Sequence, residues 1–268
     1  MIYRNQVKEA LQSTGYALGT FVQISSPENA EIAAASGFDY IILDMEHGSF
    51  GIDSLVNMIR GVQLAGAAPV VRLPDDSDAG IMKALDAGAV GILVPGVSTA
   101  EQAAKIVRAT RYAPMGSRGA CPRVRATAHG LTPWQEHVKW SNQNVMVWLL
   151  IETFEGFQNF DKIVTLPGID AVAFGAFDLS QALGLNGQTE HPEVRNHFER
   201  AFHLAKKNHI DVQMQLFGTS SQEIGESVRR WANLGVRIFS CLTDRRILTL
   251  GFKEAYAGLS SVRCTRVG

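Results

Sequence analysis

The chain of 268 residues has no long hydrophobic run. Its longest uninterrupted apolar stretch is Val145–Ile151, whereas a membrane-spanning helix needs about 20 such residues. The first twelve residues, MIYRNQVKEALQ, lack the apolar core of a secretory signal and have the pattern of a polar helix. We therefore expect no association with a membrane.

The chain also has few cysteines and almost no net charge. Cys121, Cys241 and Cys264 are an odd number without a CxxC pair, which argues against a disulfide framework or a zinc knuckle and favours the reducing cytoplasm. The 25 basic and 26 acidic residues give a net charge of −1. Because nucleic-acid-binding proteins usually carry an excess of basic charge, nucleic acid is not an expected partner.

Eight short apolar runs alternate with amphipathic stretches, and no linker divides residues 1–268 into smaller domains. Several runs are rich in Val and Ile without polar alternation, which is typical of parallel strands covered on both faces. The expected strands are Ala17–Ile24, Tyr40–Asp44, Pro69–Leu73, Val90–Val94, Val145–Ile151, Asp170–Phe174, Asp211–Leu216 and Val236–Cys241.

Eight helical patterns follow these runs, and an extra one is expected at Leu131–Asn142. An open doubly wound sheet would usually have fewer strands and a glycine-rich turn after the first, which Thr20–Ser26 lacks. The pattern therefore predicts a single-domain α/β fold, the (β/α)8 TIM barrel. The expected helices are Glu28–Ser36, Asp53–Leu64, Ser77–Asp86, Ser98–Ala109, Thr153–Thr165, Pro192–Lys207, Ser220–Leu234 and Asp244–Tyr256.

Polar side chains stand where several predicted strands end, and barrel enzymes carry their chemistry at that rim. Each residue has another interpretation: Glu152 and Asp178 could cap helices, and Arg72 could pair with a surface aspartate. Their convergence on one rim favours a functional site. The residues are Asp44, Glu46 and His47 after strand two, Arg72 at strand three, Glu152 after strand five, Asp178 after strand six, and Gln213 and Gln215 in strand seven.

A series of short segments resembles the HpcH/HpaI aldolase family, the metal-dependent 2-oxo acid aldolases of the phosphoenolpyruvate/pyruvate-binding barrel superfamily. The segments follow the family's order from about residue 18 to 250. They are Leu43-Asp44-Met45-Glu46-His47-Gly48, Val71-Arg72-Leu73-Pro74, Leu85-Asp86-Ala87-Gly88-Ala89, Val94-Pro95-Gly96-Val97, Arg111-Tyr112-Ala113-Pro114, Gly116-Ser117-Arg118-Gly119, Leu150-Ile151-Glu152-Thr153 and Gly175-Ala176-Phe177-Asp178-Leu179-Ser180.

The resemblance implies a role for each candidate residue. Glu152 and Asp178 would hold a divalent cation, Mg²⁺ or Mn²⁺ and possibly Co²⁺. His47 would be the acid/base residue, paired with Asp86, and Arg72 would contact the substrate oxygen that becomes negative. The carboxylate of the 2-oxo acid would bind to the backbone N–H groups of Gly175, Ala176, Phe177 and Asp178.

The implied reaction is the reversible cleavage of a 4-hydroxy-2-oxo acid to pyruvate, or a close 2-oxo acid, and an aldehyde through a metal-stabilised enolate. Family members generally form hexamers, trimers of dimers, in which a terminal helix is exchanged between neighbours. The apolar stretch Ile247–Leu259 is compatible with such an exchange, although a helix packed on its own barrel would have the same pattern.

The sequence departs from the family pattern in two places. Ala176 stands where the family usually has proline, and Ala120–Arg125 replaces a stretch rich in small residues. Arg123 and Arg125 could bind a distal substrate carboxylate or make subunit contacts. Substrate identity therefore stays open at this point.

Three alternatives to metal-dependent aldol cleavage differ in the residues that they need. A lysine Schiff base needs a lysine inside the barrel, and none of the eight strand runs contains one. A Claisen-type acyl-CoA lyase would need a phosphate-binding surface, for which only the Arg118–Arg125 cluster offers basic residues. A non-catalytic barrel that binds 2-oxo acids would be favoured if Glu152 and Asp178 could not hold a metal.

Overall fold

Eight parallel strands close into one barrel in chain order, as a computed structural model describing residues 4–218 and 220–264 shows. The (β/α)8 architecture is thus confirmed. The strands are β1 (Ala17–Val22), β2 (Tyr40–Asp44), β3 (Ala68–Arg72), β4 (Gly91–Val94), β5 (Met146–Ile151), β6 (Ala171–Phe174), β7 (Asp211–Leu216) and β8 (Ile238–Thr243).

Helices surround the barrel, and each expected helix has a counterpart. They are α1 (Gln6–Ser13), α2 (Pro27–Ala35), α3 (Ile52–Leu64), α4 (Asp78–Asp86), α5 (Ala100–Thr110), α6 (Trp134–Asn144), α7 (Phe154–Gln158), α8 (Phe160–Ile163), α9 (Ala176–Ala182), α10 (Pro192–Lys207), α11 (Ser221–Asn233) and α12 (Asp244–Cys264), with a short 3₁₀ segment at Arg125–Gly130. None of the helices in the described ranges is long and apolar enough to cross a membrane.

The single helix expected at Thr153–Thr165 is wrong, because two short helices occupy that stretch. Asn159 lies between them outside helical geometry and donates a side-chain hydrogen bond to the Ser98 carbonyl at 3.0 Å. Gly156 lies so close to the Val97 carbonyl that a Cβ there would be 2.6 Å from it. These contacts with the loop after β4 interrupt a pattern that is helical in the sequence.

The core has two layers, one between strands and helices and one inside the barrel. Alternate residues of each strand face inward, and Tyr40, Trp148 and Val70 belong to the inner layer. Helix α1 adds Val7 to that layer at the end where the strands begin, which we call the amino rim. The opposite end, where Asp44 and the other final strand residues lie, is called the carboxyl rim.

The last helix, α12, is longer than the expected Asp244–Tyr256 and stands away from the barrel. Its first residue is buried, but the residues from Arg245 to Ser260 are exposed or only half-buried. Large apolar side chains on it, including Phe252 (72 % exposed), therefore have little cover within the described chain.

Candidate active site

Inward-facing residues from neighbouring strands form one row at the carboxyl rim. Asp44 is aligned with Arg72 across β2 and β3. Ile151 is aligned with Phe174, so the next residues, Glu152 and Gly175, stand side by side where β5 and β6 end. The barrel therefore brings together groups that are more than a hundred positions apart in the sequence.

Asp44 and Arg72 form a bidentate ion pair at the centre of this row. Arg72 Nε donates to Asp44 Oδ1 at 2.8 Å and Nη2 donates to Oδ2 at 2.5 Å. Burial by itself would raise the pKa of the Asp44 carboxyl, but the hydrogen bonds and charge of Arg72 outweigh it and lower that pKa. Arg72 also lies over the ring of Phe21, with Cζ 5.2 Å from the centroid.

A second carboxylate approaches the same guanidinium from the loop after β2. Glu46 Oε2 lies 3.0 Å from Arg72 Nη1 and 4.0 Å from His47 Nε2. Burial raises the pKa of the Glu46 carboxyl, and the charges of Arg72 and His47 offset part of that rise. The arginine thus holds two acidic side chains beside the barrel axis.

Glu152 and Asp178 converge on the space above Gly175. A Cβ built at Gly175 would lie 3.0 Å from Glu152 Oε2 and 3.4 Å from Asp178 Oδ2. Glu152 is anchored through Oε1, which accepts a hydrogen bond from the Gly96 N–H at 2.8 Å. Burial, followed by the charge of Glu46, raises the pKa of Glu152 to about 7, and Asp178 adds to the rise.

These two carboxylates fit a hard divalent cation. In the described ranges no group of three or more His, Cys, Asp or Glu side chains has metal-binding geometry. Mg²⁺ is commonly held by only one or two carboxylates, with water and substrate oxygens completing the octahedron. The negative charge crowded around Glu152 would be neutralised by such an ion, so the donor set suits magnesium-like metals better than a zinc cage.

Next to this pair, the chain turns into α9, whose first residue is Ala176. The first N–H groups of a helix have no partner within the helix and can receive an anion. Of the four N–H groups expected to donate to the substrate carboxylate, that of Gly175 is already used, since it donates to the Ile151 carbonyl at 3.1 Å. The N–H groups left for a carboxylate are therefore those of Ala176, Phe177 and Asp178.

His47 stands at the mouth of the site, but Asp86 does not meet it within the chain. The His47 side chain is 64 % exposed. Asp86 lies at the end of α4, at the amino rim, and its Oδ1 accepts a hydrogen bond from Arg118 Nη2 at 2.7 Å. A helix that follows a barrel strand runs back to the opposite end, so the expected His47–Asp86 pair is not formed in a single chain.

The arginine-rich loop is also placed at the amino rim. Arg125 Nη1 donates to the Ala87 carbonyl at 2.8 Å, and Nη2 donates to Gln63 at 2.7 Å. Arg123, two residues away, is exposed at that end. This loop therefore lies at the end of the barrel opposite Glu152, and its placement does not support a contact of Arg123 with substrate bound in the same chain.

Several residues outside the family-like segments complete the site. Gln23 donates from Nε2 to Asp44 Oδ2 at 2.7 Å. Asp244, at the start of α12, accepts hydrogen bonds from the backbone N–H groups of Gln23 and Ile24, both at 3.0 Å. Arg245 donates to the His47 carbonyl at 3.1 Å. Only the position of Gln23, at the end of the first predicted strand, could have indicated its role.

Comparison with known proteins agrees with this geometry. A sequence model of the HpcH/HpaI aldolase/citrate lyase family matches residues 17–243. The chain belongs to this family. It is therefore a carbon–carbon lyase that acts on small molecules. Members of this family generally depend on a divalent metal.

Relatives within the HpcH/HpaI family cover most of the chain. The 5-keto-4-deoxy-D-glucarate aldolase of Klebsiella pneumoniae is 35% identical over 77% of this chain and 80% of its own. An HpcH/HpaI family protein of Burkholderia cenocepacia J2315 superposes with a TM-score of 0.86 at 28% identity, over 97% of this chain and 100% of that one. The citrate synthase SbnG superposes with a TM-score of 0.83 at 30% identity, over 98% and 99%.

Proposed function

We propose that this HpcH/HpaI family member cleaves a 4-hydroxy-2-oxo acid reversibly to pyruvate, or a close 2-oxo acid, and an aldehyde. The observation that carries this proposal is the convergence of Glu152, Asp178 and Arg72 at the carboxyl rim. Two carboxylates and a guanidinium supply what a 2-oxo acid needs, namely a cation site and a fixed positive charge. The resemblance to sugar-acid aldolases supports the same reaction class.

Glu152 and Asp178 are proposed to hold the divalent cation, with Mg²⁺ or Mn²⁺ favoured by the two oxygen donors. When bound, the ion acts as a Lewis acid on the 2-oxo group. The N–H groups at the start of α9 would receive the substrate carboxylate. Because these donors are fixed by the turn between β6 and α9, the substrate would be oriented before reaction.

Arg72 is proposed to stabilise negative charge on a substrate oxygen during carbon–carbon cleavage. A guanidinium stays protonated throughout the accessible pH range, so it can act only as a charge and a hydrogen-bond donor. Asp44 fixes its plane through two hydrogen bonds, and the guanidinium would not need to reorganise as charge develops.

His47 is proposed as the acid/base residue for the 4-hydroxyl proton. Its backbone N–H donates to Asp44 Oδ1 at 3.2 Å and its carbonyl accepts from Arg245, so the main chain is held while the imidazole stays accessible. An imidazole that is not fully buried can exchange protons with water between turnovers. Asp86 of the same chain is not part of this step.

A Claisen-type lyase acting on an acyl-CoA ester is the second candidate, and the similarity to the citrate synthase SbnG supports considering it. That reaction needs a basic surface for the cofactor's phosphates near the carboxyl rim. Arg118 and Arg125 are engaged at the amino rim with Asp86 and Gln63, which weakens this candidate for a single chain.

We also propose that the chain forms a homo-oligomer, a hexamer in the manner of its family, by exchange of α12. The exposed apolar side chains of α12 support this assembly, because a monomer rarely leaves a row of large hydrophobic residues in water. A cytoplasmic location, and the absence of nucleic acid and membrane partners, stay predictions from composition.

Proton exchange of pyruvate in deuterated buffer tests the proposed function without knowledge of the aldehyde. The protein is treated with EDTA, and loss of the methyl proton signal is followed by NMR before and after Mn²⁺ or Mg²⁺ is restored. We expect exchange only with metal. Glu152→Gln and Asp178→Asn should abolish it, whereas Glu155→Gln, on the exposed surface of α7, should not.

Exchange that persists in Glu152→Gln at the wild-type rate would remove the proposed metal site. If pyruvate binds but never exchanges with any metal, the Claisen-type lyase or the non-catalytic barrel would replace the aldolase. Mass spectrometry of the metal content of each variant separates loss of the ion from loss of the reaction.

A further inference from the structure

Polar side chains on β7 and β8 form a hydrogen-bonded chain inside the barrel. Gln213 Nε2 donates to Ser240 Oγ, and Ser240 Oγ donates to Gln215 Oε1. Gln215 Nε2 then donates to the Leu242 carbonyl at 3.1 Å. The alternate β7 residue Met214 packs outward with α10 and α11, so both glutamines face the interior.

A series of hydrogen-bonded polar side chains is unusual in the interior of a barrel. Barrel interiors are normally filled by branched apolar side chains, and buried polar groups destabilise the fold unless each finds a partner. Gln213 and Ser240 are almost completely buried, with 2% and 1% of their surface exposed. Because apolar residues of the same shape would fill this space at least as well, stability alone does not explain the polar chain.

The direction of the hydrogen bonds fixes the orientation of the Gln215 amide. A serine hydroxyl has one proton, and Ser240 gives that proton to Gln215 Oε1 while accepting from Gln213. The Gln215 NH₂ group must then point toward Leu242, where β8 reaches the carboxyl rim. An amide nitrogen has two protons, and its contacts within the described chain use one of them, on the Leu242 carbonyl.

The strand register places Gln215 beside the proposed metal site. Gln213 is aligned with Ala173 across β6 and β7, which places Gln215 next to Gly175 two positions further on. Gly175 has no side chain, and Glu152 is its other neighbour in the row. Gly175 therefore places no side chain of its own between the half-buried Gln215 and the carboxylates of Glu152 and Asp178.

We propose that Gln215 is a specificity-determining residue that hydrogen-bonds a hydroxyl group on the substrate carbon chain beyond the cleaved bond. This inference rests on the proposed aldolase function. An uncharged amide held in one orientation distinguishes a hydroxyl from a methylene group, because an alkyl chain would leave the amide unpaired. The chain would accordingly prefer hydroxylated aldehydes to alkyl aldehydes of equal length.

The test compares kcat/KM for two 4-hydroxy-2-oxo acids, one with a hydroxylated tail and one with an alkyl tail of the same length. The wild type should prefer the hydroxylated substrate, and Gln215→Leu should reduce that preference about tenfold, as for loss of one neutral hydrogen bond. The matched control Gln222→Leu, on the exposed face of α11, should keep the wild-type ratio. If Gln215→Leu does not fold, Gln215→Met gives the same comparison.

An unchanged ratio in a folded Gln215 variant overturns the inference, and so does a wild type that favours the alkyl tail. Pyruvate exchange by the wild type distinguishes this failure from failure of the proposed function. Metal-dependent exchange with an unchanged ratio removes only the role of Gln215. Absence of exchange and of cleavage with every metal overturns the aldolase function, and the inference falls with it.

Discussion

The carboxylate of Asp44 binds the guanidinium of Arg72 through two hydrogen bonds and also accepts from the backbone N–H groups of Glu46 and His47. Asp44 is fully buried at the end of β2. The Asp44 side chain thus holds both the guanidinium of Arg72 and the loop that carries His47, the proposed acid/base residue. A disturbance of this pair should therefore affect catalysis.

Arg72→Lys should lower kcat for carbon–carbon cleavage about a hundredfold. A loss of this size is typical when one hydrogen-bond donor to a developing negative charge is removed. Lysine keeps the charge, but a single ammonium cannot make the bidentate contact with Asp44. Steady-state kinetics with saturating metal would measure the effect. Arg60→Lys, on the exposed face of α3, is the matched control. A wild-type kcat for Arg72→Lys would contradict the proposed role.

Asp86→Asn should lower the free energy of unfolding by about 3 kcal/mol, because it leaves a buried guanidinium without its charged partner. The Arg118 side chain is 1% exposed and lies 4.5 Å from the ring centroid of Tyr112. Urea denaturation would measure the loss. Asp211→Asn removes the partner of Arg237, whose side chain is 47% exposed, and should lose about 1 kcal/mol or less. Equal losses would argue against the buried pair.

His137 should make stability fall as the pH is lowered from about 6.5 to about 4. Burial, and after it the charge of Arg118, lowers the pKa of the imidazole to about 4. Between these values the unfolded chain binds a proton that the folded chain does not, so acid favours unfolding, by roughly 3 kcal/mol. In His137→Gln, which does not titrate, the slope of unfolding free energy against pH should decrease in this window. An identical slope in both proteins would exclude the effect.

Disruption of the apolar face of α12 should break the oligomer without unfolding the barrel. Phe252→Asp places a charge where a neighbouring chain would have to bury it. We expect a shift toward monomer in light scattering after size exclusion, with little change in circular dichroism. Lys253→Glu, at the next position of the same exposed helix, is the control for added negative charge. A wild-type mass for Phe252→Asp would contradict assembly through this face.

The strands were predictable because their signal is local. A run such as Tyr40–Asp44 is apolar enough to be recognised from neighbouring residues alone, and the structure has the same limits. The helix expected at Thr153–Thr165 was wrong for the opposite reason. Its interruption depends on Asn159 and Gly156 contacting the loop after β4, and such distant contacts leave no periodicity in the sequence.

The candidate site also has a part that the sequence could predict and a part that depends on distant contacts. Four residues could be recognised because each lies at or shortly after the end of a strand at one rim, namely Glu152, Asp178, Arg72 and His47. The contact of Asp86 with Arg118 was not visible in the sequence, although the expected helix Ser77–Asp86 already placed Asp86 at the end of the barrel opposite His47, since a helix that follows a strand runs back to the amino rim. The contribution of Asp244 was also invisible, because its partners Gln23 and Ile24 are more than two hundred residues away.

The sequence by itself determined the barrel and the set of charged groups at its carboxyl rim, since alternating strand and helix patterns place every strand end on the same side. Only the tertiary structure decided which groups meet. It paired Asp44 with Arg72, brought Glu152 toward Asp178 above Gly175, and tied Asp86 to Arg118 at the other end. Register and closure set these distances, and neither is encoded in any local stretch of residues.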